Sequence, residues 1–182
     1  MSNIEHEAKV LNINTDELRS RLASLGAKKK GMFTFRRYVF DTIPASPNRW
    51  VRLRSDGTET TLTVKEISSN NIDGTEEWEV VVSDIDETLT ILEKIGISAR
   101  GYQENTREEY ELDGVQIAID HWPRLQPYVE IEASDTKTVV RVAKLLGYSE
   151  DILVANNTSD LYLAIGIDLK EVAELKFEGD EQ

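Results

Sequence analysis

Cysteine is absent from this chain of 182 residues, which removes disulfides, thiolate zinc sites, iron–sulfur clusters and thiol nucleophiles. Histidine is scarce: His6 and His121 leave little for imidazole metal chemistry. A bound metal must therefore sit mainly on oxygen. With 4 prolines and 10 glycines, the chain lacks the bias of fibrous or disordered sequences. It has no run of roughly 18 apolar residues, and its opening, MSNIEHEAKV, has none of the apolar character of a signal segment. The expectation is a cytoplasmic protein without a secretory signal or membrane span. Positive charge is the other deficit: 21 Lys and Arg stand against 34 Asp and Glu, a net charge of −13. General nucleic-acid binding through a basic surface is thereby disfavoured, because such binding rests on neutralising phosphates. A local basic site is still allowed. Hydrophobic residues make up 40% of the chain, enough to bury the core of one domain, 1–182.

Alternation of apolar and polar residues dominates, and helical patterns interrupt it. The first helix is predicted from Asn14, which can cap it with Glu17, with Leu18, Leu22 and Leu25 on one face and Gly26 as stop. The second is capped by Asp84 or Asp86, carries Ile85, Leu89, Leu92 and Ile95, and stops at Gly96. The third runs from Ser134 to Leu146 with Val139, Val142 and Leu146 inward and Gly147 as stop; a fourth spans Ser159 to Ala164, with Leu161 and Ile165 packing. Strands ahead of three helices each hold two glutamates at spacing two: Glu5 and Glu7, Glu77 and Glu79, Glu130 and Glu132. This unit reads as a weak internal repeat, consistent with an ancient duplication inside one sheet. Thr42–Asn48, with Pro44 and Pro47, and Ser68–Gly74 are predicted as loops.

Successive side chains of a strand point to opposite faces. Glu5, Glu7 and Lys9 thus oppose Ile4, Ala8 and Val10, and Arg52 and Arg54 oppose Val51 and Leu53. Thr61, Thr63 and Lys65 oppose Leu62 and Val64; Glu77 and Glu79 oppose Trp78, Val80 and Val82. Arg107, Glu109 and Glu111 oppose Tyr110 and Leu112, Asp120 opposes Ile117 and Ile119, and Glu130 and Glu132 oppose Val129 and Ile131. For any single strand the plain reading is a solvent face of an open antiparallel sheet. Taken together, the polar faces are largely charged and mix both signs, while the amphipathic helices need the apolar faces to cover. If the sheet closes, its interior is the charged face: an α+β fold with a closed antiparallel β-barrel, a polar tunnel and helices outside. Clustered charges of this kind are costly without ligands. Arginine and lysine match phosphate oxygens, and glutamates without His or Cys match Mg²⁺ or Mn²⁺. Together they suggest a metal-bound polyphosphate, held by side chains because the chain has no Walker A or glycine-rich loop.

An ordered series of motifs resembles the CYTH domain proteins, or triphosphate tunnel metalloenzymes, over nearly the whole chain. It comprises E-x-E-x-K at Glu5-His6-Glu7-Ala8-Lys9, the Tyr38-Val39-Phe40-Asp41-Thr42 strand, and R-x-R at Arg52-Leu53-Arg54. Thr61 to Lys65, the acidic strand around Trp78, Arg107, Asp120 and Glu130-Ile131-Glu132 complete it. The family includes class IV adenylyl cyclases, thiamine triphosphatases and inorganic triphosphatases, and closes eight antiparallel strands into a tunnel. The resemblance implies Glu5, Glu7, Glu130, Glu132 and Asp120 as metal residues, with Asp120 a ligand or a positioner. It implies Lys9, Arg52, Arg54, Lys65 and Arg107 as the triphosphate cradle, and Lys9 and Glu7 as catalytic. Some family triphosphatases use a Lys-Tyr pair, for which Lys9 and Tyr38 are the candidates. Asp120-His121-Trp122 is similar to the Asp-His turn of class IV cyclases, and Ser159 to Tyr162 resembles their Ser-Tyr element. His121 at a strand end reads as structural more readily than as a base, and His6 as packed against a helix.

The expected function is metal-dependent hydrolysis of tripolyphosphate, thiamine triphosphate or a nucleoside triphosphate, with Mg²⁺ or Mn²⁺. A class IV adenylyl cyclase that makes cyclic AMP and pyrophosphate is the alternative mechanism. The readings outside catalysis are a polyphosphate or nucleotide binder and an open-sheet interaction module. The expected partner is a triphosphate-containing small molecule, with no membrane and with a homodimer left open.

Overall fold

The computed structural model describes residues 3–178. The alternating segments form β1 (Asn3–Val10), β2 (Lys28–Ser46), β3 (Arg49–Ser55), β4 (Thr60–Ile67), β5 (Thr75–Val82), β6 (Ala99–Leu112), β7 (Val115–His121) and β8 (Tyr128–Ala133). Hydrogen-bonded neighbours run β2-β3-β4-β5-β1-β8-β7-β6, and β2 pairs back onto β6, so the sheet closes with every contact antiparallel. Closure removes the edges that an open sheet of this length would expose. A two-residue β9 (Glu174–Leu175) adds to β6 in parallel. The pairing of β1 with β5 spans only three residues, after which backbone bonds from Glu7 to Ile72 (2.9 Å) and from Lys9 to Val154 (2.8 Å) continue the wall.

The helices sit where the amphipathic patterns place them. α1 (Thr15–Ser24) is capped by the Asn14 side chain, which accepts from the amides of Asp16 and Glu17. α2 (Ile85–Lys94) is capped by Asp84 and α3 (Thr136–Leu145) by Asp135. α1 and α3 end at Gly26 (φ 75°) and Gly147 (φ 96°), a left-handed turn that a side chain would strain. α1 and α3 bury Leu18, Leu22, Val139 and Val142 on the outer faces of β1, β8, β7 and β6. Ile85 and Leu92 of α2 pack on Phe40 and Leu53 of β2 and β3. α4 (Thr158–Ala164) places Leu161 and Tyr162 against Trp122 and Tyr128. Among the described residues, no helix is long and apolar enough to cross a membrane.

Three expectations change. Thr42–Ser46 is not a loop but the end of β2, and only Pro47 and Asn48 form the turn; a break in register between Asp41 and Ser46 absorbs Pro44. Ile95 and Ile165 end their stripes yet are exposed, because each follows the last helical residue and turns away from the sheet.

Among the described charged side chains on the outward faces, one is almost wholly buried. This is Glu108, on the apolar face of β6, where Arg19 of α1 (3.0 Å), Lys29 (2.6 Å) and the Tyr110 hydroxyl all donate to it. Burial opposes its ionisation, but these three donors prevail and hold the carboxyl down to about 2. A lowered carboxyl contributes stability above its unfolded pKa and loses it as pH falls through the folded one. Glu108→Gln should cost about 1–3 kcal/mol of unfolding free energy at pH 7 by urea denaturation. The gap between variant and parent should narrow as pH falls from about 4 towards 2.

Candidate active site

The faces opposite the helices surround a cavity of about 800 Å³. Glu5, Glu7 and Lys9 reach it from β1, Arg52 and Arg54 from β3, and Lys65 from β4. Arg107 enters from β6, and Glu130 and Glu132 from β8. The structure thus brings nine of the ten expected residues to one lumen. The tenth, Asp120, lies behind Arg107 and is wholly buried. Its oxygens accept Nε (3.0 Å) and Nη2 (2.7 Å) of Arg107 and Nδ2 of Asn105 (3.0 Å). That bidentate fork aims Arg107, whose Nη2 also reaches Glu130 at 2.8 Å. The Asp120 carboxylate is thus already occupied by Arg107 and Asn105.

The three E-x-E strands β5, β1 and β8 are neighbours in the sheet, so the acidic pairs form one wall of the lumen. Arg52 and Arg54 of β3, Arg37 of β2 and Arg107 of β6 line the adjoining strands on the other side. Where the walls meet, the signs pair. Lys65 bridges Glu5 (2.8 Å) and Glu77 (2.7 Å), Arg52 lies 3.3 Å from Glu79, and Lys9 bonds Glu7 and stands 3.4 Å from Glu130. Burial alone would lower the pKa of Lys9, but Glu7 and Glu130 reverse the effect and raise it above that of a free lysine. Lys9 is therefore a fixed cation.

Each wall also keeps charge of its own sign unmatched. Among the described residues, Glu132 has no cation within ion-pairing distance, and burial with Glu130 and Glu7 close by pushes its carboxyl up to about 6. Burial and the neighbouring Glu77 likewise push the Glu5 carboxyl up, to about 8, although Lys65 opposes the rise. On the opposite wall Arg54 has no carboxylate partner and stacks on Phe35 with 4.7 Å to the ring centre. Burial first, then Arg52 and Arg107, lower its pKa to about 10. Buried nitrogens of Arg37, Arg52 and Trp122 have no acceptor.

No three carboxylates converge into a preformed metal cluster among the described residues. The donor chemistry nevertheless fits a hard divalent ion: the lumen offers carboxylates and no imidazole among the described residues, and Glu132 is a half-buried carboxylate without a counter-charge among them. Neither histidine contributes. His6 meets Thr136 of α3 at 3.2 Å, and His121 falls on the face of β7 opposite Asp120. Tyr38 also points outward, where its ring packs 5.3 Å from Tyr102 beside the α2 cluster.

Sequence reasoning missed Arg37, Asn105, Gln103 and Trp122. The last three share a face with Arg107 or Asp120 by strict alternation, so the signal was available. Arg37 was hidden by its neighbour Arg36, which turns outward to Asp86 of α2 at 3.7 Å.

A closed antiparallel tunnel with a charged lumen and helices outside is the architecture these residues define. Residues 3–158 match the CYTH domain, and the chain belongs to that family. Among solved structures it is similar to the PH1012 protein of Pyrococcus horikoshii, with 23% identity over 86% of this chain and 98% of that one, TM-score 0.74. A candidate adenylate cyclase from Vibrio parahaemolyticus matches at 14% identity over 90% and 99% of the two chains, TM-score 0.75. The Hippeastrum protein HpAC1, a candidate adenylyl cyclase with a dominant triphosphatase activity, matches at 15% over 92% and 99%, TM-score 0.59. At these identities the likeness is one of fold. No curated protein matches the chain in sequence.

Removing the negative charge behind Arg107 should be expensive, because a buried ion loses its partner. Asp120→Asn should lower stability by about 3 kcal/mol in urea denaturation. It should also weaken anion binding in the lumen, since Arg107 loses its bidentate support.

Proposed function

We propose that this chain is a metal-dependent hydrolase of triphosphates that works inside its tunnel. The observation that carries this reading is the sorting of charge around the lumen, where Arg37 and Arg54 on one wall and Glu132 on the other have no ion-pair partner among the described residues. A polyphosphate with a divalent ion is the ligand whose two parts satisfy both. Membership of the CYTH domain family supports this, because the family takes triphosphate substrates and is metal-dependent in general. The dominant triphosphatase activity of the Hippeastrum relative supports hydrolysis over cyclisation.

Glu5, Glu7, Glu130 and Glu132 would hold Mg²⁺ or Mn²⁺, which when bound neutralises phosphate charge and polarises the phosphoryl oxygens. Lys9, Arg52, Arg54, Lys65 and Arg107 bind the phosphate oxygens, and Asp120 holds Arg107 in aim. Ligand entry lets the cations exchange carboxylate partners for phosphate, which frees glutamate oxygens without leaving a charge unpaired. Water attacks the terminal phosphorus, the bond to the leaving phosphate oxygen breaks, and the water's proton passes to a carboxylate. Glu7, held in place by Lys9, is the acceptor we assign. Lys9 stays protonated throughout and stabilises the charge that develops on the phosphoryl oxygens.

Assays on tripolyphosphate, thiamine triphosphate and ATP with Mg²⁺ or Mn²⁺ should release orthophosphate. Cyclic AMP and pyrophosphate from ATP would replace hydrolysis by cyclisation, and binding without turnover would make the tunnel a receptor. Glu132→Gln should abolish turnover and the rise in melting temperature that the divalent ion produces, while the variant stays folded. A carboxyl near 6 is protonated below that pH and free to bind a cation above it. Metal-induced stabilisation should therefore increase as pH rises through about 6 and continue towards about 8. Arg54→Ala should cost about 1.5–3 kcal/mol of tripolyphosphate binding in calorimetry, and Arg54→Lys should recover only part, lacking the fork.

A further inference from the structure

Arg37 is a buried cation without a carboxylate partner among the described residues. It faces the lumen from β2 and sits in register with Arg54 across β3 and with Gln103 across β6. One guanidinium nitrogen donates to the Asn105 side chain, and the plane lies over the Trp122 ring, 4.5 Å from its centre. Its Nε has no acceptor, and neither has Nε1 of Trp122. Burial first, then the fields of Arg52, Arg54 and Arg107, pull its pKa well below that of a free guanidinium. An arginine does not escape this cost by losing its proton, and an unpaired buried ion is tolerated only where something compensates it.

We infer that Arg37, together with Nε1 of Trp122, forms an additional phosphoryl subsite of the tunnel, next to Arg54 and outside the five-residue cradle. The inference rests on the triphosphate reading of the lumen and extends it. The ligand that suits the subsite is an oxyanion carrying several acceptor oxygens, because the donors offered are a guanidinium edge and an indole N–H with no acceptor among them. A neutral acceptor could satisfy the donors but would leave the Arg37 charge unopposed, and a cationic group would do neither. Asn105 ties the subsite to the aimed Arg107, since its amide accepts from Arg37 and donates to Asp120. Arg37 is thereby held towards the same lumen as the cradle arginine.

A binding cation and a structural cation differ in the ligand-free protein. If Arg37 awaits an anion, Arg37→Gln removes an uncompensated charge and the ligand-free variant should melt at or above the parent temperature. The same variant should bind tripolyphosphate about ten- to a hundred-fold more weakly in calorimetric titration in a buffer free of phosphate and sulfate. Arg37→Lys should bind between the two. Parent-like affinity in Arg37→Gln overturns the subsite while leaving the triphosphate reading intact. A lower melting temperature of the ligand-free variant also overturns it, since Arg37 would then be holding the barrel together. Failure of Arg37→Gln to fold overturns it on the same ground, and parent-like tripolyphosphate binding by Arg37→Lys would show that the guanidinium edge is not used. If the parent itself binds no tripolyphosphate, the subsite and the proposed function fall together.

Discussion

Everything in this structure depends on one inversion: the sheet closes with its charged face inward. An ordinary small barrel fills its interior with apolar side chains and gains stability from burying them. Here the apolar faces of the strands look outward, where α1, α2 and α3 cover most of them and leave Trp78 and Val80 of β5 exposed, and the hydrophobic core is a shell around the barrel. The interior is left to Lys, Arg, Glu and Asp, which are stable there only as pairs. Lys9, Lys65, Arg52 and Arg107 each span two carboxylates and act as ties between strands.

Pairing does not use up the charge, and what is left over is sorted by sign. The three acidic strands are scattered along the chain but meet side by side, because β1 is inserted between β5 and β8. The arginines of β2, β3 and β6 gather on the other strands. The outcome is a lumen with a negative side and a positive side, each carrying a residual charge that its own neighbours cannot neutralise. This stores a cost in the ligand-free protein that, on the proposed function, a metal-bound polyphosphate would relieve.

Outside the lumen the same logic operates on a smaller scale. Glu108 is a buried carboxylate on the apolar face of β6, and it is tolerated because Arg19, Lys29 and Tyr110 converge on it. It fastens α1 and the start of β2 to β6 from outside the barrel, while Asp120 fastens Arg107 from inside. The contrast is functional. Glu108 has every donor it needs and offers nothing to a ligand, whereas Arg37 and Glu132 have no ion-pair partner among the described residues and face the cavity.

Local rules determined much of this from sequence alone. Strict alternation assigned Arg52, Arg54, Lys65, Arg107 and the glutamates to one face, because a strand has a period of two and no freedom to depart from it without a bulge. Capping residues and terminal glycines located the helices within a residue or two. What alternation cannot say is which strands become neighbours, since pairing is a contact between segments far apart in the chain. Only the closed sheet put the three E-x-E pairs together and set Arg37 against Arg54. The same limit explains Asp120: by sequence its carboxylate is as available to a metal as that of Glu130. In the fold a guanidinium and an amide from the adjacent strand have already taken its oxygens, because β6 and β7 pair Arg107 directly with Asp120.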